Sequence, residues 1–295
     1  MTDPLAALTD INLNDLVSAF GWQRSPALAY ILRRVFFAPA RKFAAQMLDF
    51  DRITGESGLP QAARCTLPHF VRNVELFGEE NIPKDGPALY LSNHPGMTDT
   101  LSLFAAIARP DLHILALDRP FLKSLVNVSQ QLFYLNDDPN RRTDAVKKAA
   151  MYLRNGGAVL TFPAGNIEPD PDIFSGALES LGSWTDSAGV FLRLAPGTKI
   201  APVLVRCVVW DKAVKHPLTL LRTRRKDREW LGTSLQLLSN VMFDTRPVTV
   251  RVQFAPPIDA SEVDAKDLGA IHAAVLGRMR ALIENPPQGK GGSLL

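Results

Sequence analysis

The stretch Leu89-Tyr90-Leu91-Ser92-Asn93-His94-Pro95-Gly96-Met97-Thr98-Asp99 decides the fold, because an apolar run ends abruptly in a polar turn holding a histidine and an aspartate. A strand that stops at Ser92-Asn93 delivers His94 to the edge of a sheet. On one unbroken helix, residues five apart are rotated by about 140° and their side chains do not meet. Pro95-Gly96 forbids that helix, since proline restricts the residue before it and glycine allows a tight turn. The expected arrangement is strand, turn, and then a helix from Thr98-Asp99 through Leu101, Leu103, Phe104 and Ile107. Across such a turn Asp99 can reach back to a ring nitrogen of His94.

A histidine held this way is a base with its orienter. The carboxylate fixes the imidazole tautomer and stabilises the imidazolium, leaving the other nitrogen to take a proton from a hydroxyl. Histidine suits this because it titrates near neutrality. The same residues have a plainer reading, with Asp99 or Thr98 as a helix N-cap and His94 as a loop residue. Spacing alone does not separate the two.

A second unit of the same kind follows. Thr143 to Arg154 has helical character, Asn155-Gly156-Gly157 stops it, and Ala158 to Phe162 reads as a buried strand. Helix, glycine turn and apolar strand in succession indicate an α/β sheet with helices on both faces. Phe162-Pro163-Ala164-Gly165-Asn166 then leaves that strand at its carboxyl end, where ligands in open α/β sheets bind.

Asn93-His94-x4-Asp99 resembles the first block of the glycerolipid acyltransferase family, which includes glycerol-3-phosphate and lysophosphatidate acyltransferases. Ala158 to Asn166 is similar to that family's strand-plus-turn block, usually written F-P-E-G-T. Ile200-Ala201-Pro202-Val203-Leu204-Val205 resembles its late apolar block with a central proline. The three blocks fall in the family's order and span roughly residues 75 to 255, which is more specific than any one alone.

The resemblance implies an α/β fold with a mixed sheet flanked by helices, and transfer of a fatty acyl group from acyl-coenzyme A or acyl-carrier protein to a hydroxylated lipid. His94 and Asp99 would be catalytic. Asn93, Pro163, Ala164, Gly165 and Asn166 would border the substrate. The sequence departs from the pattern in three places: Ala164 stands where the family has glutamate, Asn166-Ile167 stands where threonine-arginine is common, and Asn136 occupies the place of an arginine that holds the acceptor's phosphate. Arg141 and Arg142 follow closely and could substitute, since guanidinium forks suit phosphate, or could be solvated on the next helix.

Composition bounds the rest. With 295 residues, 46% hydrophobic and 21% charged, the chain is long enough for a substantial core. Its two cysteines, Cys65 and Cys207, imply no disulfide framework and offer no metal-ligand spacing. Neither a bound cofactor nor a metal is expected; Glu168, Asp170 and Asp172 read as solvated acids in a flexible lip around the cleft. Met1 to Asp15 lacks the basic start of a signal peptide, and no apolar run reaches membrane-spanning length. A cytoplasmic protein is the expectation, with peripheral contact at the inner face of the cell membrane left open.

Residues 1–72 are expected to be a helical segment that either faces a membrane or packs as a cap on the α/β domain with its arginines in water, with Pro39 dividing Pro26 to Phe50 into two helices and an irregular stretch from Pro60. Residues 73–284 form the α/β domain, ending in a helix from Ser261 to Glu284, and residues 285–295 are read as a disordered tail. A second basic region runs from Lys212 to Trp230. The charge pattern lacks the wide basic excess of a nucleic-acid surface. No G-x-S-x-G turn is present to support a serine hydrolase. Hydrolysis of a thioester by the same histidine, or lipid binding without catalysis, are the competing function classes.

Overall fold

A computed structural model describes residues 3–136, 138–259, 263 and 267–295. Asp3 accepts a hydrogen bond from the Leu5 N–H at 3.1 Å and Pro4 takes the first helical position, so α1 (Pro4–Phe20) starts there. Gly21 ends it in the left-handed conformation, at φ 77°. Helices α2 (Pro26–Val35) and α3 (Phe37–Thr66) follow. The break between them falls at Phe36, not at Pro39. Pro39 lies in the first turn of α3, where its missing N–H has no helical partner to lose.

Nor is the chain irregular from Pro60. α3 kinks at Gly58, whose φ of 82° and ψ of 164° lie outside the helical region, and continues to Thr66. Pro60 opens the second part of the helix, so the residue that suggested an ending marks a restart.

Strand β1 (Asn73–Phe77) and strand β2 (Ala88–Ser92) precede α4 (Met97–Ile107). The chain continues through β3 (Leu112–Leu117), α5 (Pro120–Lys123), α6 (Val126–Ser129), β4 (Leu132–Leu135), α7 (Pro139–Arg154) and β5 (Ala158–Thr161). After α8 (Ala177–Ser180) and α9 (Ser187–Leu194) come β6 (Lys199–Arg206), α10 (Asp211–Val214), α11 (Arg225–Phe243), β7 (Thr249–Phe254), α12 (Leu268–Glu284) and β8 (Gly292–Ser293). The first part of the expected C-terminal helix, at 261–267, falls largely on residues outside those described.

Among the described residues the strands form one mixed sheet in the order β4-β3-β5-β2-β6-β7-β1-β8. From β4 to β6 neighbouring strands are parallel; β6 meets β7 antiparallel, and β7 meets β1 parallel. All of β2 is buried, as expected of a parallel strand covered on both faces. Its side chains alternate between two cores. Tyr90 joins Leu103, Phe104, Val203 and Val250 under α3 and α4. Leu89 and Leu91 join Leu153, Phe191, Leu204 and Met279 under α7, α9 and α12.

Residues 285–295 are not a disordered tail. Gly292 and Ser293 pair antiparallel with Leu76 and Glu75, and the Leu294 N–H donates to the Val74 carbonyl at 3.0 Å. The exposed edge of β1 offers unpaired backbone groups, and glycine lets the chain approach them. A Cβ at Gly291 would lie 2.2 Å from the Leu76 carbonyl oxygen.

Leu103 is fully buried between α4 and the sheet. Leu103→Ala should cost about 2–5 kcal/mol of unfolding free energy, measured by chemical denaturation, since the cavity left cannot fully collapse.

Candidate active site

The histidine turn is shaped by bonds on both sides of it. Asn93 is buried at the end of β2, and its amide clamps β6: Nδ2 donates to the Val205 carbonyl and Oδ1 accepts the Val205 N–H, both at 2.8 Å. Asn93 therefore fixes the start of the turn, with its amide bonded to the β6 backbone. Beyond Pro95, the Gly96 N–H donates to Asp99 Oδ2 at 2.8 Å, so Asp99 caps α4 from its third residue.

Asp99 is 0% exposed, and the same carboxylate holds His94. Nδ1 of His94 lies 2.9 Å from Oδ2 and 3.1 Å from Oδ1, and Thr100 donates its hydroxyl to Oδ1 at 2.8 Å. One carboxylate thus both caps α4 and holds the imidazole. The helix N-terminus also favours a negative charge there, by about 0.3–1 kcal/mol. With Nδ1 committed to Asp99, Nε2 is the nitrogen left for a reacting group. The Phe162 ring stacks on the imidazole at 4.5 Å between centroids.

Burial pulls the His94 pKa down, but the charge and hydrogen bond of Asp99, with the charge of Glu168 behind them, outweigh it and hold the pKa above its ordinary value. Glu168 lies far from the motif in sequence and touches the turn in both directions. Its N–H donates to the His94 carbonyl at 2.9 Å, and its Oε2 accepts the His94 N–H at 3.3 Å. Oε1 accepts from Trp184 Nε1 at 2.8 Å and from the Ser180 hydroxyl at 3.0 Å. Burial raises the Glu168 pKa, and these donors work against that rise.

Asp170 is buried and accepts the N–H groups of Asp172, Cys207, Val208 and Val209 at 2.7–3.2 Å. That holds the turn after β6, where Cys207 takes a left-handed φ of 58°. Segment 166–183 is therefore a strap wired to two strand ends, contrary to the flexible lip expected. The signal in the sequence was the alternation Glu168-Pro169-Asp170-Pro171-Asp172, whose prolines stiffen the backbone between acids.

β5 pairs directly with β2, so the Phe162–Asn166 turn lies beside the histidine turn. Gly165 takes φ 65°, where a side chain would be strained, and its N–H donates to the Phe162 carbonyl at 2.9 Å. Pro163 accepts the Thr185 N–H, and Ala164 packs toward the core beneath α7 and α9. Asn166 alone of these four borders the cavity next to the dyad. Arg141 and Arg142 are exposed on the first turn of α7, after β4, and border no part of it. β4 lies three strands from β2, about 14 Å at ordinary strand spacing. Asn136, at the place of the phosphate-holding arginine, donates to Asp118 at 3.3 Å.

The cavity measures about 950 Å³ and runs between the start of α4, the strap, and helices α1, α3 and α11. Pro95, Gly96, Met97 and Thr98 form the end beside the histidine turn, and Leu16, Phe43, Phe121, Trp230, Leu237 and Val241 supply much of its apolar wall. Among the described residues no group of three or more histidines, cysteines or acids is placed to hold a metal ion. An apolar space of this size beside a histidine–carboxylate pair suits a lipid chain with a reacting group at its polar end.

Residues 73–206 match the family model described as Acyltransferase. Among solved structures, the chain is similar to the crystal structure of the 1-acyl-sn-glycerophosphate (LPA) acyltransferase PlsC from Thermotoga maritima. The TM-score is 0.45 at 17% sequence identity, over 94% of this chain and 96% of that one. No curated protein matches the sequence.

The electrostatics of the turn are testable by NMR titration of the His94 ring. Asp99→Asn should lower its pKa below the wild-type value, and Glu168→Gln should lower it by a smaller step. A pKa unmoved by Asp99→Asn would mean the carboxylate does not govern the imidazole.

Proposed function

We propose, from the premise that residues 73–206 belong to the acyltransferase family, that the protein moves a fatty acyl group from an acyl thioester to a hydroxyl of a glycerolipid-type acceptor. The observation that carries this reading is the His94–Asp99 contact at 2.9 Å, in the turn whose next residues, Pro95 to Thr98, line one end of a largely apolar cavity. His94 Nε2 takes the proton of the acceptor hydroxyl as its oxygen attacks the thioester carbonyl. The tetrahedral intermediate collapses, the C–S bond breaks, and the imidazolium returns its proton to the departing thiolate. Asp99 keeps Nδ1 protonated throughout and stabilises the transient cation.

Stabilisation of the oxyanion falls to the first-turn N–H groups of α4, at Met97 and Thr98, which have no intrahelical partners and border the cavity. The Gly165 N–H is already engaged within its own turn. Acyl-coenzyme A or acyl-carrier protein would serve as the thioester donor, and the apolar lining receives the acyl chains.

The lipid substrates also need a route from a bilayer. No helix among the described residues is long and apolar enough to cross a membrane. α2 instead exposes Leu28, Tyr30, Ile31 and Val35, with Tyr30 at 65% and Ile31 at 55%, beside Arg24 and Arg34. Residues 218–230 expose Leu220, Leu221 and Trp230 among Arg222, Arg224 and Lys226. The two regions are joined, since Leu32 of α2 and Leu231 of α11 share a small core with Leu16 and Phe20. Apolar side chains ringed by cations fit the interface of an anionic bilayer, where each Lys or Arg contributes about 1 kcal/mol. Peripheral attachment follows.

Two experiments test this reading. Thiol release from long-chain acyl-coenzyme A should require a lipid acceptor and should fall by about 10²–10⁴ in His94→Ala. Release without an acceptor would show hydrolysis instead. Separately, co-sedimentation with vesicles containing anionic lipid should be strong for the wild type, weaken at high salt, and drop sharply in the Tyr30→Glu/Ile31→Glu double variant. Sedimentation unchanged in that variant would exclude α2 as the contact.

A further inference from the structure

Charge is concentrated on α7. Its 16 residues hold Arg141, Arg142, Lys147, Lys148 and Arg154 against one acid, Asp144, a net charge of +4 where the whole chain has +3. Ala145, Ala149, Ala150 and Leu153 are buried and fix the face that packs on the sheet. At about 100° per residue, Arg141, Lys147, Lys148 and Arg154 fall on the opposite face around Met151, which is 63% exposed. Asp144 shares that face, yet Lys147 and Lys148 make no hydrogen bond or ion pair with it or with any other described residue. Cations gathered in this way set up a field that steers a partner of opposite charge.

The place of α7 in the fold narrows the choice of partner. β4, β3, β5 and β2 are parallel, so α7 begins at the sheet edge that carries His94. It packs with α9 and α12 on one face of the sheet, while α3 and α4 cover the other, and α2 sits against α1 and α3 on that second side. A bilayer that meets the exposed apolar residues of α2 therefore leaves α7 facing water. Within α7, Met151 is the one exposed large apolar side chain, too little for an interfacial helix. From Arg141 to Arg154 the face extends about 20 Å along the axis, far more than a single phosphate covers and close to the length of a short acidic helix.

We infer that the face of α7 centred on Met151 docks a protein donor, an acyl-carrier protein with an acidic surface, which delivers its thioester to His94. The inference rests on the acyl-transfer function proposed for His94 and chooses between the two thioester donors. β4 lies about 14 Å from β2 along the sheet, and a carrier's phosphopantetheine arm, about as long as five extended residues, reaches roughly 17 Å. The carrier's carboxylates pair with Lys147 and Lys148, and Met151 supplies an adaptable apolar contact beside them. The chemistry is unchanged: the ester C–O bond forms, the thioester C–S bond breaks, and the hydroxyl proton leaves on the thiol of the arm.

Two donors of one acyl chain test the assignment. Palmitoyl-coenzyme A and an acyl-carrier protein charged with palmitate would each be offered with the same panel of lysolipids and glycerol phosphate, and ester formation measured by mass spectrometry. The proteins are the wild type, Lys147→Glu/Lys148→Glu and Lys147→Gln/Lys148→Gln. The Glu variant should lower kcat/KM for the carrier by about tenfold, through KM, and hold it within about twofold for the coenzyme A thioester, with the Gln variant between. Equal losses with both donors, no loss with either, or a wild type that accepts coenzyme A alone overturns the docking face and leaves acyl transfer standing. Loss of vesicle co-sedimentation in the Glu variant also overturns it, giving the face to the bilayer. Transfer from neither donor to any acceptor, by a protein that unfolds cooperatively, overturns acyl transfer itself and the inference with it.

Discussion

The buried carboxylate of Asp99 is the constraint on which the site depends. It accepts the Gly96 N–H that starts α4, the Thr100 hydroxyl, and the Nδ1 proton of His94. A fully desolvated charge is tolerable only when its lone pairs are filled, and these three donors fill them. The helix start, the turn geometry and the basicity of the imidazole are therefore one interaction. Any change that keeps the turn but removes the charge separates chemistry from folding.

Around that point the structure is braced from several directions. The pairing of β2 with β5 and β6 sets the histidine turn among neighbouring strand ends, and the two-way bond between Asn93 and Val205 fixes its exit angle. Glu168 and Asp170, two residues apart on a proline-stiffened strap, tie the histidine turn to the turn after β6. A single segment thus sets both the wall of the cavity and part of the field at His94. Chemistry of this kind gains from such rigidity, because positioned dipoles need no reorganisation when charge develops.

Much of this was legible in the sequence where the signal is local. The apolar run before Asn93 and the Pro95-Gly96 turn predict strand, turn and helix, and the spacing from His94 to Asp99 predicts their contact. The glycines at 156–157 and the strand after them were equally plain. What escaped reading depends on contacts remote in the chain. Glu168 looks like a solvated loop acid until His94, Ser180 and Trp184 gather around it. Residues 292–293 look like tail until the open edge of β1 captures them. Arg141 and Arg142 have the right chemistry for phosphate, but the strand order sets them away from the cavity, and strand order is not written in any one stretch.

The central claim is that His94, made more basic by Asp99, removes the acceptor's proton. Its most direct test is the pH dependence of kcat/KM for acceptor-dependent acyl transfer, in the wild type and in Asp99→Asn. The imidazole must be neutral to act, so the rate should climb with pH through a single ionisation above the ordinary histidine value of about 6.5, then level off. In Asp99→Asn that limb should shift to lower pH, with a much reduced plateau. A wild-type profile with no such limb, or a limb that Asp99→Asn leaves in place, would contradict the account.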